Sequence, residues 1–188
     1  MAKKLLQGAK VSFVDDEGTA ARRLLFGATW SEAQVDVDMS VLPLLRRDGG
    51  FKVPTPQDFV YRSRRANPDF SAFCTYLEPG RSGGHDRAQI LLDLTTLNAQ
   101  VSRVIIALSA RRPGGLLSEM GTLRTRAMDL DTGETAYVYQ HRDRSTLATS
   151  CITLWTLDRV GDRWQGRVTA TPYPGGPPAL VRDFGAVT

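Results

Sequence analysis

Gly, Pro and Asp interrupt the chain at short intervals, and the segments between them alternate apolar with polar residues. Alternation matches the two-residue repeat of a strand rather than the 3.6-residue repeat of a helix. The pattern predicts strands over Val11–Val14, Arg22–Trp30, Val35–Leu45, Asp58–Arg62, Ser71–Leu77, Ala88–Leu94, Arg103–Ala110, Leu123–Asp129, Thr135–Gln140, Ser150–Leu157 and Arg163–Thr171. Within Arg103–Ala110 the run Val104-Ile105-Ile106-Ala107-Leu108 is wholly apolar, which requires cover on both faces. Gly at Arg47-Asp48-Gly49-Gly50 and at Asp131-Thr132-Gly133-Glu134 marks tight turns, and Asp158–Asp162 reads as a longer hairpin loop. Helical signal is confined to Thr95–Val101 and Pro177–Phe184. About ten strands at this spacing make an all-β chain, a two-sheet β-sandwich or a barrel, with one or two short helices. A length of 188 residues and the lack of a linker or repeat suit one domain, 1–188.

Composition narrows the function. The net charge is +4, yet arginine outnumbers lysine twenty to four and is scattered in pairs such as Arg22-Arg23 and Arg111-Arg112. A nucleic-acid face gathers its cations beside stacking aromatics, so nucleic acid is not expected as a partner. No apolar run is long enough for a membrane helix, and Met1–Gly8 lacks the apolar core of a signal peptide; a cytoplasmic chain without membrane insertion is expected. Cys74 and Cys151 lie in separate strand-like segments without zinc spacing and read as buried thiols.

The chemistry-bearing feature is Gln34-Val35-Asp36-Val37-Asp38-Met39-Ser40. Side chains two apart on a strand share a face, so Asp36 and Asp38 project together while Val35, Val37 and Met39 face the other way. Paired like charges call for compensation, by hydration of a polar sheet face or by a cation between them. A calcium ion needs six to eight oxygens, of which the pair supplies only a part. Acid–base use would need an apolar pocket to separate the two pKa values, and none is evident. His85-Asp86 and His141 are the remaining candidates for catalysis, as in a hydrolase; no nucleophile elbow, P-loop or dinucleotide fingerprint accompanies them. Asp129-Leu130-Asp131-Thr132-Gly133 begins like a calcium loop, but its Gly falls a place early and the distal Glu is missing.

The order of several short motifs resembles the TerD-type domain of bacterial tellurium-resistance and stress-response proteins. Gly8-Ala9-Lys10-Val11-Ser12 resembles the family's opening strand, and Leu24–Trp30 its Leu-x-x-Gly-Trp strand. Gln34 to Ser40 is similar to Asp-Phe-Asp-Leu-Asp-Ala-Ser, Asp58-Phe59-Val60 to Asp-Phe-Val, and Ile90–Leu94 to Ile-x-Val-Asp-Leu. Gly175-Gly176 and Arg182-Asp183-Phe184-Gly185 match the C-terminal pattern. The resemblance implies a calcium-binding β-sandwich that is not an enzyme, with stress-system proteins or a second copy as partners. It assigns metal ligation to Asp36, Asp38, Asp58, Glu78 and Asp86. Gln34 replaces the family's first Asp, Ser63 and Arg64 replace its Asn pair, and Arg87 interrupts its Asp-Asp-Glu cluster. A unit charge about 4–5 Å from the cation is worth roughly 3–4 kcal/mol at an effective dielectric near 20. The expectation is that calcium sites are degenerate, with Arg64 or Arg87 paired to Asp36 or Asp38. A single weaker site built from the remaining acids is the alternative. Pro172–Pro178 is a rigid connection that could also contact a partner.

Overall fold

The structure, a computed structural model, describes residues 2–77 and 86–188. Among them lie β1 (Lys3–Lys4), β2 (Lys10–Ser12), β3 (Arg23–Trp30), β4 (Val37–Arg47), β5 (Gly50–Lys52), β6 (Ala72–Tyr76), β7 (Ala88–Asp93), β8 (Val101–Ala110), β9 (Leu123–Asp129), β10 (Glu134–Gln140), β11 (Cys151–Val160), β12 (Arg163–Pro172) and the helix α1 (Gly176–Asp183). They form two six-stranded sheets, ordered β1-β10-β9-β3-β7-β6 and β2-β12-β11-β8-β4-β5. All pairings are antiparallel except β1 with β10.

The facing sides of the sheets enclose the main core, where the buried rings of Phe26 and Trp155 meet edge-to-face at 5.2 Å. Trp155 Nε1 donates to Thr125 Oγ1 (2.9 Å), which donates to the Gly27 carbonyl (2.7 Å). The polar end of the indole is thus satisfied inside the sandwich. A second cluster lies outside the β4–β8 sheet: Leu42, Leu44, Ile105 and Ala107 pack under Val53, Phe59, Leu180 and Ala186. Helix α1 and the 53–59 segment therefore cover the outer face of β4 and β8. That double burial is the reason for the unbroken apolar runs Val104–Leu108 and Val41–Leu45. Cys74 and Cys151 are free and buried in the two different clusters, and burial pushes their thiols up to about 11 and about 12.

Three expectations are corrected. Asp58–Arg62 is not a strand. Pro56–Asp58 is a 3-10 turn, because the Asp58 carboxylate accepts from Thr55 N (2.9 Å) and Thr55 Oγ1 (2.7 Å). Only Val60 then pairs, in a single bridge to Val41. Thr95–Val101 is not a helix: Asp93 Oδ1 takes the Thr95 amide and hydroxyl, and Val101 is drawn into β8. The expected loop at Asp158–Asp162 shrinks to Gly161-Asp162, since Asp158, Arg159 and Val160 all pair with β12. The strands β1 and β5 were too short to give a period. The turn Asp48-Gly49 has positive φ at both residues (52° and 78°), the geometry that brings β5 back onto β4.

The Asp93 turn yields a pH prediction. Partial burial opposes ionisation of Asp93, but the Thr95 and Thr96 donors and Arg23 outweigh it and hold the carboxyl below its usual value. A depressed folded pKa contributes stability that is complete above the unfolded value and is lost as pH falls through the folded one. Exchange protection of the Thr95 amide is expected to hold at neutral pH and to drop below the ordinary carboxylate range. Asp93→Ala is expected to remove that acid step.

Candidate functional site: an acidic ledge held by arginine

At its N-terminal half β4 has β8 on one side and no strand on the other. The open edge carries Val37, Met39 and Val41, followed by Pro43. Val41 exchanges both backbone bonds with Val60 (2.9 and 3.0 Å). Tyr76 Oη accepts from Met39 N (3.1 Å) and donates to Met39 O (2.7 Å). Arg62 Nη2 donates to Val37 O (3.3 Å). Pro43 shares the parity of Val41, so its missing N–H falls on this same side. The edge is closed by one backbone bridge and by side chains instead of a full strand, which prevents strand addition there.

The two aspartates sit on this edge. Arg62 Nε donates to Asp38 Oδ1 at 2.5 Å, and its Nη2 lies 3.9 Å from Asp36 Oδ1. Its guanidinium stacks 3.8 Å above the Tyr76 ring. Arg111 Nη1 reaches Asp36 Oδ2 at 3.1 Å, while its amide donates to the Asp36 carbonyl. Burial works against the charge on Arg62, but the hydrogen bond and charge of Asp38 more than offset it, and its pKa is raised. Burial, then Cys74 and Asp38, raise the Tyr76 hydroxyl well above its ordinary value, which keeps it a neutral hydrogen-bond bridge.

The arginines singled out from sequence are elsewhere. Arg64 donates to the carbonyls of Pro56, Phe59 and Val187. Arg87 lies 4.2 Å over Trp30 and donates to Glu32 O and Ala33 O, both at 2.8 Å. Guanidinium does meet the aspartates, but from Arg62 and Arg111. The β4–β8 register held the signal for Arg111: Val37 faces Ala110, so the next step out sets Asp36 against Arg111. Arg62 ends the segment misread as a strand, Asp58–Arg62, so its reach was not legible.

Asp86 forms a separate ion pair. Its side chain is 4% exposed and takes Arg126 Nη2 at 2.7 Å and Arg126 Nε at 3.0 and 3.1 Å. Gln89 Nε2 adds a donor at 2.8 Å. Gly27 lies between Arg126 and Gln89 in neighbouring strands, and the carboxylate rests on it: a Cβ there would stand 2.3–2.4 Å from the Asp86 carboxyl atoms. Asp58 is the buried acceptor of its own turn and also faces Asn67 Nδ2 at 3.3 Å. Glu78 and His85 lie outside the described residues.

This arrangement can be tested against calcium. Asp86 gives both its oxygens to arginine and Asp38 gives Oδ1, Asp58 is spent on its turn, and Asp36 is shared by two arginines. Among the described residues no three His, Cys, Asp or Glu side chains gather as a metal-holding group. Releasing one charge-assisted bond costs about 1.5–3 kcal/mol, or roughly one to two decades of affinity. Among the described residues this set does not fit a divalent ion with six to eight oxygen ligands. His141 is buried with both nitrogens engaged. The carbonyl of Asp143, 2.5 Å from Nε2, can only accept, so Nε2 carries a proton, and Nδ1 is hydrogen-bonded to Tyr139 Oη at 2.8 Å. No helix among the described residues is long and apolar enough to cross a membrane.

Comparison with known proteins agrees with this architecture. No curated protein matches the chain. A crystal structure of a protein of unknown function, SAV2460, superposes with a TM-score of 0.67 at 18% identity, covering 89% of this chain and 99% of that one. A homologue of telluride resistance protein (TerD) from Streptomyces coelicolor A3(2) superposes with a TM-score of 0.64 at 12% identity, covering 90% and 100%. At such identities the likeness is one of fold. The family model described as the TerD domain matches residues 1–184 of the 188, so the chain belongs to the TerD domain family.

Proposed function

We propose that this chain is a non-enzymatic stress-response protein of the tellurium-resistance type. It works in the cytoplasm as a binding or scaffold module whose partners are other stress-system proteins or a second copy. In this reading its acidic ledge is neutralised by arginine in place of calcium. The supporting observation is Arg62, which is bonded to Asp38, near Asp36 and stacked on Tyr76. A guanidinium offers fixed donors to the carboxylates and to Val37 O at once, so the ledge holds its shape without a bound ion.

Retention of one weak calcium site is the second reading. It is favoured by Asp36, whose side chain is 62% exposed beside a half-exposed Arg111. The thermal midpoint in calcium and in chelator separates the two. A micromolar site at about 1 mM calcium would add about 4 kcal/mol, or roughly 8–16 °C for a chain of this size. The arginine-held ledge predicts coincident midpoints, and a rise of that size rejects it.

A further inference from the structure

At the opposite end of β4 the structure holds an unexplained group of donors. Two buried polar side-chain atoms among the described residues lack a hydrogen-bond partner: Ser102 Oγ and Arg159 Nη2. They lie together. Asp158 pairs with Arg103, so the next residues along the two strands are Arg159 and Ser102. Arg159 Nε donates to Val101 O at 2.9 Å, and its guanidinium stacks 4.8 Å over Trp164. A buried donor without an acceptor costs more than the bond it would make, so two at one place mark an absent acceptor.

Ser102 lines a cleft of about 520 Å³ with Leu45, Arg46, Arg47 and Gln100. A β-bulge between Leu44 and Leu45 opens it by shifting the register so that Leu45 faces Val101. The charged lining is entirely basic. Among the described residues neither Arg46 nor Arg47 forms an ion pair, whereas the neighbouring Arg103 is committed to Asp158 at 2.6 Å. Arg46 lies 5.1 Å over the face of Phe51, an arrangement that leaves the guanidinium edge free to donate.

We propose that this cleft binds a phosphate-bearing small molecule, with the phosphate oxygens accepting from the lining donors Ser102 Oγ, Gln100 and the Arg46–Arg47 pair. All the groups named can donate, no carboxylate lines the cleft, and two carry positive charge with Arg159 adding a third on the strand beside Ser102, which suits a dianion with several acceptor oxygens. The volume admits a phosphomonoester of metabolite size. This site lies apart from the aspartate ledge and does not depend on what neutralises it.

Inorganic phosphate is the probe, titrated into the full chain at ionic strength held constant with chloride. Tryptophan fluorescence reports the site through Trp164, and the thermal midpoint reports it independently. Both are expected to change saturably with phosphate. Ser102→Ala and Arg47→Gln are each expected to weaken the midpoint of that titration about tenfold or more. Without phosphate, Ser102→Ala is expected to melt no lower than the parent, because it deletes an orphaned hydroxyl; this separates loss of binding from loss of fold. A response no larger than that to chloride, one reproduced by acetate, or one unchanged in both variants would overturn the assignment.

Discussion

Replacing Arg126 by leucine is expected to destabilise the fold by about 3–5 kcal/mol, because it leaves the Asp86 carboxylate buried without its counter-ion. In a chain of this size that lowers the melting midpoint by roughly 6–20 °C. Adding Asp86→Leu to Arg126→Leu should restore most of the stability, since a buried ion pair can be exchanged for apolar groups at little cost. Denaturant melts of the single and double variants provide the check. A loss below about 1 kcal/mol in Arg126→Leu, typical of an exposed pair, contradicts the buried one.

The second large effect lies under the same carboxylate. Gly27 has ordinary strand geometry, so alanine there meets no backbone penalty. The obstacle is steric: the new Cβ would stand 2.3 Å from Asp86 Cγ. Gly27→Ala must push the carboxylate off Arg126 and Gln89, at about 3 kcal/mol. Because both changes act on one ion pair, Gly27→Ala combined with Arg126→Leu should cost less than their sum. A neutral Gly27→Ala would show that Asp86 does not rest on the strand.

Much of the fold could be read from the sequence because strand periodicity is local. Leu123–Asp129 coincides with β9, and Arg22–Trp30 and Ala88–Leu94 exceed their strands by one residue. The apolar run at Val104–Leu108 predicted cover on both faces, although not what would supply it. The errors lie where a side chain overrides the period. Asp58 and Asp93 each capture backbone donors and turn the chain, one ending an expected strand and the other an expected helix.

For the site, sequence gave the shared placement of Asp36 and Asp38 but misassigned their partners. Spacing along the chain ranks Arg64 and Arg87 nearest the family's ligand positions. Space instead brings Arg111 to the two aspartates across the β4–β8 ladder and Arg62 across the open edge, while Arg126 meets Asp86 from a strand of the other sheet. Pairing across strands depends on register and turn geometry, which a one-dimensional pattern does not encode. Asp58 and Asp86, grouped with the ledge by resemblance, are each bound into separate local networks.

On the proposed reading, arginine in place of a divalent ion neutralises the aspartates on β4. Calorimetric titration of the full chain with calcium tests it most directly, with Arg62→Ala run beside the parent. No binding of micromolar strength is expected in the parent, and an affinity about one to two decades higher once Arg62 is gone. Micromolar or tighter binding by the parent, left unchanged by Arg62→Ala, would contradict it.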